Sequence, residues 1–267
     1  MFTAEQGMLL SGECGIAFNS AWEKVRRSNP DVHAQFVMSN CRIALRCLQY
    51  IHQIAIEGYT PIAVSLFRTY YEIVCSTMYL AEHKEELADF LNFGRRMYYE
   101  IGQDRKLKGA LLNQLVPDQK HLREHFMEKK KQRGGKQLSW HGMTIDDIGK
   151  AVGMEKYTDQ QIVRSHYATA SKLVHGDSLL TVLAYNLDQA GMKPIPFVEP
   201  TAAFRVDAVG ATCALFIALL ASVDVGLLVG FRVELDRLNA VWQTVWKDTT
   251  GVDVQGAVDK LKTRERT

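Results

Sequence analysis

The sequence predicts an all-α protein, a multi-helix bundle, and three observations carry that prediction. Apolar residues recur near a period of 3.6 through most of the chain, capping signals sit where those runs begin, and only 6 prolines and 19 glycines interrupt 267 residues. No strand-like alternation and no fixed-period repeat competes with that pattern. The expected architecture is a single domain over residues 1–267 of about seven to nine helices. A basic excursion is expected over 107–143 and a disordered polar tail over 260–267.

Each element has its own signal. Met8, Leu9, Ile16, Phe18 and Trp22 give a first helix from Thr3 to Arg27, ended by Ser28-Asn29-Pro30. Asp31 is the N-cap of a second, whose apolar side runs from Phe36 to Ala55 before Gly58 stops it. Thr60-Pro61 opens a third with proline at its first helical position. A fourth is predicted from Lys84 to Lys106. The segment Leu107 to Met143 differs in kind, with Pro117, dense charge and Gly134-Gly135, and reads as a partly mobile excursion. Thr144 with Asp147 caps a short helix, and Thr158 with Gln161 caps a longer one that bends at Gly176 and resumes toward Ala190. Lys193-Pro194-Ile195-Pro196 is an extended spacer, followed by helices from Thr201 to Gly230 and from Arg232 to Lys247.

Charge and cysteines narrow the class. Thirty-two Lys and Arg against 30 Asp and Glu leave +2, so any nucleic-acid-binding surface must be local. Five cysteines without a Cys-x2-Cys pair read as buried free thiols of a reducing cytoplasm, and the N-terminus lacks a secretory signal. Ala208 to Phe231 is apolar enough to be weighed as a membrane span. Asp224 and the many small residues favour a buried central or subunit-interface helix, with no stable membrane insertion.

Two constellations bear on chemistry. Arg68 and Glu72 lie one turn apart on an apolar helix, which predicts a buried ion pair needing further hydrogen bonds. Arg164, Ser171 and His175 fall on one stripe of a later helix, with Gly176 beside them; a general base, a phosphate-binding arginine and an exposed helix end are ingredients of a site. The other reading of the stripe is a satisfied structural network reaching Arg68 and Glu72. Lys129, Lys130, Lys131, Arg133 and Lys136 form a basic run beside flexible glycines, suited to a phosphate backbone or to a solvated helix face. No motif for a metal, a nucleotide or another cofactor is present, since His121 and His125 lack the His-Glu-x2-His context.

Arg68-x3-Glu72, Trp140-His141-Gly142 and Tyr167-x3-Ser171-x3-His175-Gly176 together resemble an uncharacterised bacterial all-helical family, a domain of unknown function, over roughly Val32 to Asp188. More remotely, the Ser/Arg/His-bearing helix is similar to the HEPN superfamily of RNases, toxins and antiviral effectors, which build a composite site across a dimer. The arginine spacing departs from that superfamily, since Arg164 is too close to His166 and too far from His175. The resemblance implies a cytoplasmic homodimeric toxin-like or antiviral-defence effector acting on RNA as a metal-independent endoribonuclease. The alternative is a non-enzymatic interaction protein whose apolar C-terminal helix packs on a protein partner or controller.

Overall fold

The computed structural model describes residues 3–57, 60–104, 109–134, 139–154, 167, 185–188, 191–194 and 207–251. Its architecture is all-α. Helix α1 (Ala4–Arg27) opens on a capping box in which Gln6 N–H donates to Thr3 Oγ1 at 3.1 Å and Thr3 N–H to Gln6 Oε1 at 2.9 Å. Helix α2 (Val32–Ile56) starts where the Asp31 carboxylate accepts the Ala34 N–H at 2.8 Å. Helix α3 (Thr60–Glu82) is followed by a tight helical turn at Lys84–Glu86 and then by α4 (Leu87–Asp104), so the single fourth helix of the sequence reading is two pieces.

The expected excursion contains helices α5 (Gly109–Leu115) and α6 (Gln119–Gln132), anchored by fully buried Leu112 and Phe126, with α6 lying against α4. Helix α7 (Ile145–Ala151) begins at Thr144 as its capping signal predicts, with Asp147 N–H donating to Thr144 Oγ1. The structure departs from the expected helix toward Ala190. Strands β1 (Tyr185–Asp188) and β2 (Gly191–Pro194) form an antiparallel hairpin there, Tyr185 opposite Pro194 and Asp188 opposite Gly191. Gly191 and Pro194 are poor helix residues, and a proline at a strand end gives up no needed ladder donor. A wider π-type turn at Asp207–Ala211 leads into α8 (Thr212–Leu227), and α9 (Arg232–Thr250) ends at Gly251 with φ +72°.

Helix α8 is the centre of the bundle. It lies against α1, α2, α3 and α9, and buries Cys213, Leu215, Phe216, Leu219, Leu220 and Val223. Each such large side chain contributes about 1.5–3 kcal/mol of transfer free energy. The stretch Val209–Leu227 is long and apolar enough to cross a membrane, yet most of it is covered by the other helices. Its apolar girth is therefore that of a core helix. Close approach to α3 depends on Gly226, where a Cβ would sit 2.4 Å from the Ala81 carbonyl oxygen. Asp224 is half-buried, its Oδ1 accepting the N–H groups of Gly230 and Phe231 at the α8–α9 turn. The thiols of Cys14 and Cys213 meet in the core at 3.6 Å, and all five cysteines are free.

Candidate functional site

At 100° per residue, Arg68, Glu72, Cys75 and Tyr79 share one stripe of α3. At its first end Arg68 Nε donates to Glu72 Oε1 at 3.2 Å, and Tyr167 donates its phenolic proton to the same oxygen at 2.8 Å. The Arg68 guanidinium lies 5.8 Å from the centroid of the Tyr167 ring, which in turn packs against Tyr71 at 5.5 Å. The ion pair is half-exposed, with 26% of the Arg68 side chain and 43% of the Glu72 side chain reaching solvent, which corrects the expectation of a buried pair. Burial pushes the Tyr167 phenol up to about 12, and its bond to the Glu72 carboxylate pushes the same way, so it stays protonated at neutral pH. Burial works against the Arg68 cation, but Glu72 and Tyr167 outweigh it and raise its pKa. Helix α7 packs on α3 beside this group, and Gly149 passes so close to Tyr71 that a Cβ would lie 3.0 Å from the phenolic oxygen.

The second end of the stripe is a polar network around Tyr79. Lys129 is buried, and its Nζ donates to Glu86 and, at 2.6 Å, to Asp89 Oδ2. Arg133 Nη2 donates to Glu86 Oε1 at 2.7 Å, while Nη1 donates to Tyr79 Oη at 2.9 Å and to the His141 carbonyl at 3.2 Å. Burial opposes the Asp89 carboxylate, but hydrogen bonds from Lys129 and His125 more than offset it and hold its pKa below the usual range. His141 accepts the Met143 N–H at Nδ1 (3.0 Å), and burial, then the Lys129 and Arg133 charges, push the imidazole down to about 4. Trp140 stands edge-on to Tyr79 and Phe90. Trp140-His141-Gly142 is thus a plug that ties α6 to α3. Gly142 has φ +66°, and a Cβ there would lie 2.8 Å from the Lys129 carbonyl oxygen. Gly142→Ala is expected to lose about 1–3 kcal/mol from backbone conformation alone, read by urea unfolding; an unchanged midpoint would show that the plug does not need glycine.

A family of unknown function (DUF5677) matches residues 35–189, more than half of the chain. The chain belongs to that family. The matched DUF5677 region holds both ends of the α3 stripe, the Trp140 plug and Tyr167, while α8 and α9 lie beyond it. No curated protein and no solved structure matches the chain.

Within this DUF5677 chain the structure brings together Arg68, Glu72 and Tyr167. Arg164, Ser171, His175 and Lys136 lie outside the described residues. The basic run divides: Lys129 and Arg133 turn inward to carboxylates, Lys130 is half-buried, and Lys131 is exposed on the outer side of α6. Among the described residues no group of three or more His, Cys, Asp or Glu side chains is placed to hold a metal ion. Sequence reasoning missed Tyr79, Glu86, Asp89 and the inward role of His141. One signal was available, since Glu86/Asp89 at i,i+3 and Lys129/Arg133 at i,i+4 are complementary helix faces.

Proposed function

We propose that this protein is a cytoplasmic, homodimeric effector of toxin-like or antiviral type that cleaves RNA without a metal ion, using a composite site built on the first end of the α3 stripe. Arg68 is the phosphate contact, Glu72 and Tyr167 hold it in place, and His175 is the general base. The observation that supports this reading is an arginine both fixed and reachable: it is braced by a carboxylate and a phenol ring, yet a quarter of its side chain faces solvent. A pre-oriented guanidinium matches the planar, bidentate geometry of phosphate oxygens. In the reaction His175 takes the proton of a ribose 2′-hydroxyl, the 2′-oxygen attacks the adjacent phosphorus, and the 5′-oxygen leaves with the proton returned by the imidazolium. Arg68 meets the charge that builds on the non-bridging oxygens. Arg164 and Ser171 remain candidate members of the site from the sequence, and exposed Lys131 with Lys130 are candidate phosphate contacts on α6.

A second reading, a non-enzymatic interaction protein, draws on one observation: Arg68, Glu72 and Tyr167 bond to one another as a structural network does. Labelled RNA incubated with the purified protein in excess chelator separates the two. The expected result is cleavage that falls at least about 100-fold in His175→Ala, and similarly in Arg68→Ala, with melting temperatures close to that of the parent. A fully active His175→Ala protein, or a folded parent that cleaves no RNA, ends the catalytic reading.

A further inference from the structure

A serine and a histidine outside the α3 stripe have the geometry of a nucleophile and its base. Ser11 on α1 and His52 on α2 approach because Gly7 makes room between the helices; a Cβ on Gly7 would lie 2.6 Å from Ile56 Cδ1. Ser11 Oγ is 2.7 Å from His52 Nδ1. On the far side of the ring, Nε2 is 2.9 Å from Thr212 Oγ1 and 3.2 Å from the Val209 carbonyl oxygen. The Thr212 hydroxyl has that same carbonyl as an acceptor at 3.1 Å, which leaves its oxygen open to an Nε2 proton of His52. With the proton on Nε2, shared between Thr212 Oγ1 and the Val209 carbonyl oxygen, Nδ1 accepts from Ser11. A nucleophile bonded to a base that a third group orients is the general signature of covalent catalysis.

The pair opens onto a cavity of about 480 Å³, within the size range of small-molecule sites. Met8 and Ile56 supply apolar wall, and Gln49 a polar one. Gln49 Oε1 accepts from Arg46 at 3.4 Å, while among the described residues its amide nitrogen has no acceptor. Glu57, held by Gln53, stands at the same cavity and disfavours an anionic guest.

We propose that Ser11 and His52 form a second reactive site, in which Ser11 is an acyl-accepting nucleophile toward small, uncharged carboxylic esters. As Ser11 Oγ bonds to the carbonyl carbon, its proton passes to His52 Nδ1, and the Gly7 carbonyl oxygen, 3.3 Å from that nitrogen, stabilises the new N–H. Gln49 Nε2–H faces the carbonyl oxygen as it becomes an oxyanion. The carbon–oxygen bond to the alcohol breaks, and the alcohol leaves with the proton from Nδ1. Water then attacks the acyl-serine, giving one proton to Nδ1 and from there to Ser11 Oγ, and the carboxylic acid is released. Ester and water become acid and alcohol, with no redox partner needed.

The test is labelling of the full chain by a fluorescent alkyl fluorophosphonate, with peptide mapping of the adduct. The expected result is one label on the Ser11 peptide, no label in Ser11→Ala at an unchanged melting temperature, and labelling about 100-fold slower in Gln49→Ala. Mapping of the parent protein identifies the residue even if a variant folds poorly. An unlabelled folded parent, a label mapped elsewhere, or Gln49→Ala reacting at the parent rate overturns the proposal. The site does not depend on the RNA reading, so His175→Ala is expected to label as the parent does.

Discussion

Acidification from about pH 7 to about pH 4 is expected to remove on the order of 6 kcal/mol of folding stability, most of what a domain of ordinary stability has. Two buried histidines carry the effect. His52 is 1% exposed, and its burial, against the raising influence of the Gly7 and Val209 carbonyls, pushes it down to about 4. His141 is 6% exposed and is pushed to about 4 by burial and by the Lys129 and Arg133 charges. An unfolded histidine titrates near 6.5. Between those values the unfolded chain binds protons that the folded one does not, so stability rises with pH. The contribution is complete above about 6.5 and is lost as pH falls toward about 4, each histidine costing about 3 kcal/mol. Carboxylates held below their usual range, Asp31, Asp89, Glu85 and Glu234, begin to add further loss at the acid end of this range and below it. Urea unfolding at about pH 7, 6, 5 and 4.5 should show a midpoint that drops steadily. A midpoint flat down to about pH 5 would mean that both rings are protonated in the fold as easily as outside it.

How far the fold is legible in the residues can be judged element by element. Thr3 with Gln6, Asp31 and Thr144 mark helix starts because a cap is a contact between residues two or three apart, and such contacts are written in local sequence. Helix α8 is legible as core because a helix apolar all round has few places to go. The β1–β2 hairpin is not: four-residue strands are too short to build an alternation, and Tyr185 to Asp188 has no breaker of its own. Arg68 and Glu72 could be paired by spacing, but their half-exposure depends on what packs beside α3, and Tyr167 stands 95 residues away from Glu72. The same reason hides the Ser11–His52 contact. Lys129 is the sharpest case. In sequence it is one of three consecutive lysines, and only the position of Glu86 and Asp89 in space decides that this one turns inward while Lys131 turns out.

Glu86→Ala is expected to cost about 1.5–3 kcal/mol, because buried Lys129 is left with Asp89 alone and Arg133 loses its carboxylate. Most of that cost is the penalty of leaving a buried cation short of hydrogen-bond partners rather than the worth of the original pair. Lys129→Met should therefore be milder. It leaves Glu86 with Arg133 and Asp89 with His125, each at ordinary hydrogen-bond distance, and its straight aliphatic chain fills the path of the lysine stem. The paired change Glu86→Leu with Lys129→Met is expected to recover much of the loss, since apolar residues of similar volume often replace a buried ion pair without cost. Lys131→Ala, on the exposed side of the same helix, should stay within about 0.5 kcal/mol. RNA affinity is expected to follow the opposite order, falling for Lys131→Ala and not for Lys129→Met at temperatures where both are folded. Urea unfolding and salt-dependent RNA binding on these variants read the two orders separately. A Glu86→Ala protein within about 1 kcal/mol of the parent would show that water reaches Lys129 and that the network is not buried. If Lys129→Met instead loses RNA affinity while keeping its stability, the basic run acts as one surface and the inward turn of Lys129 is wrong.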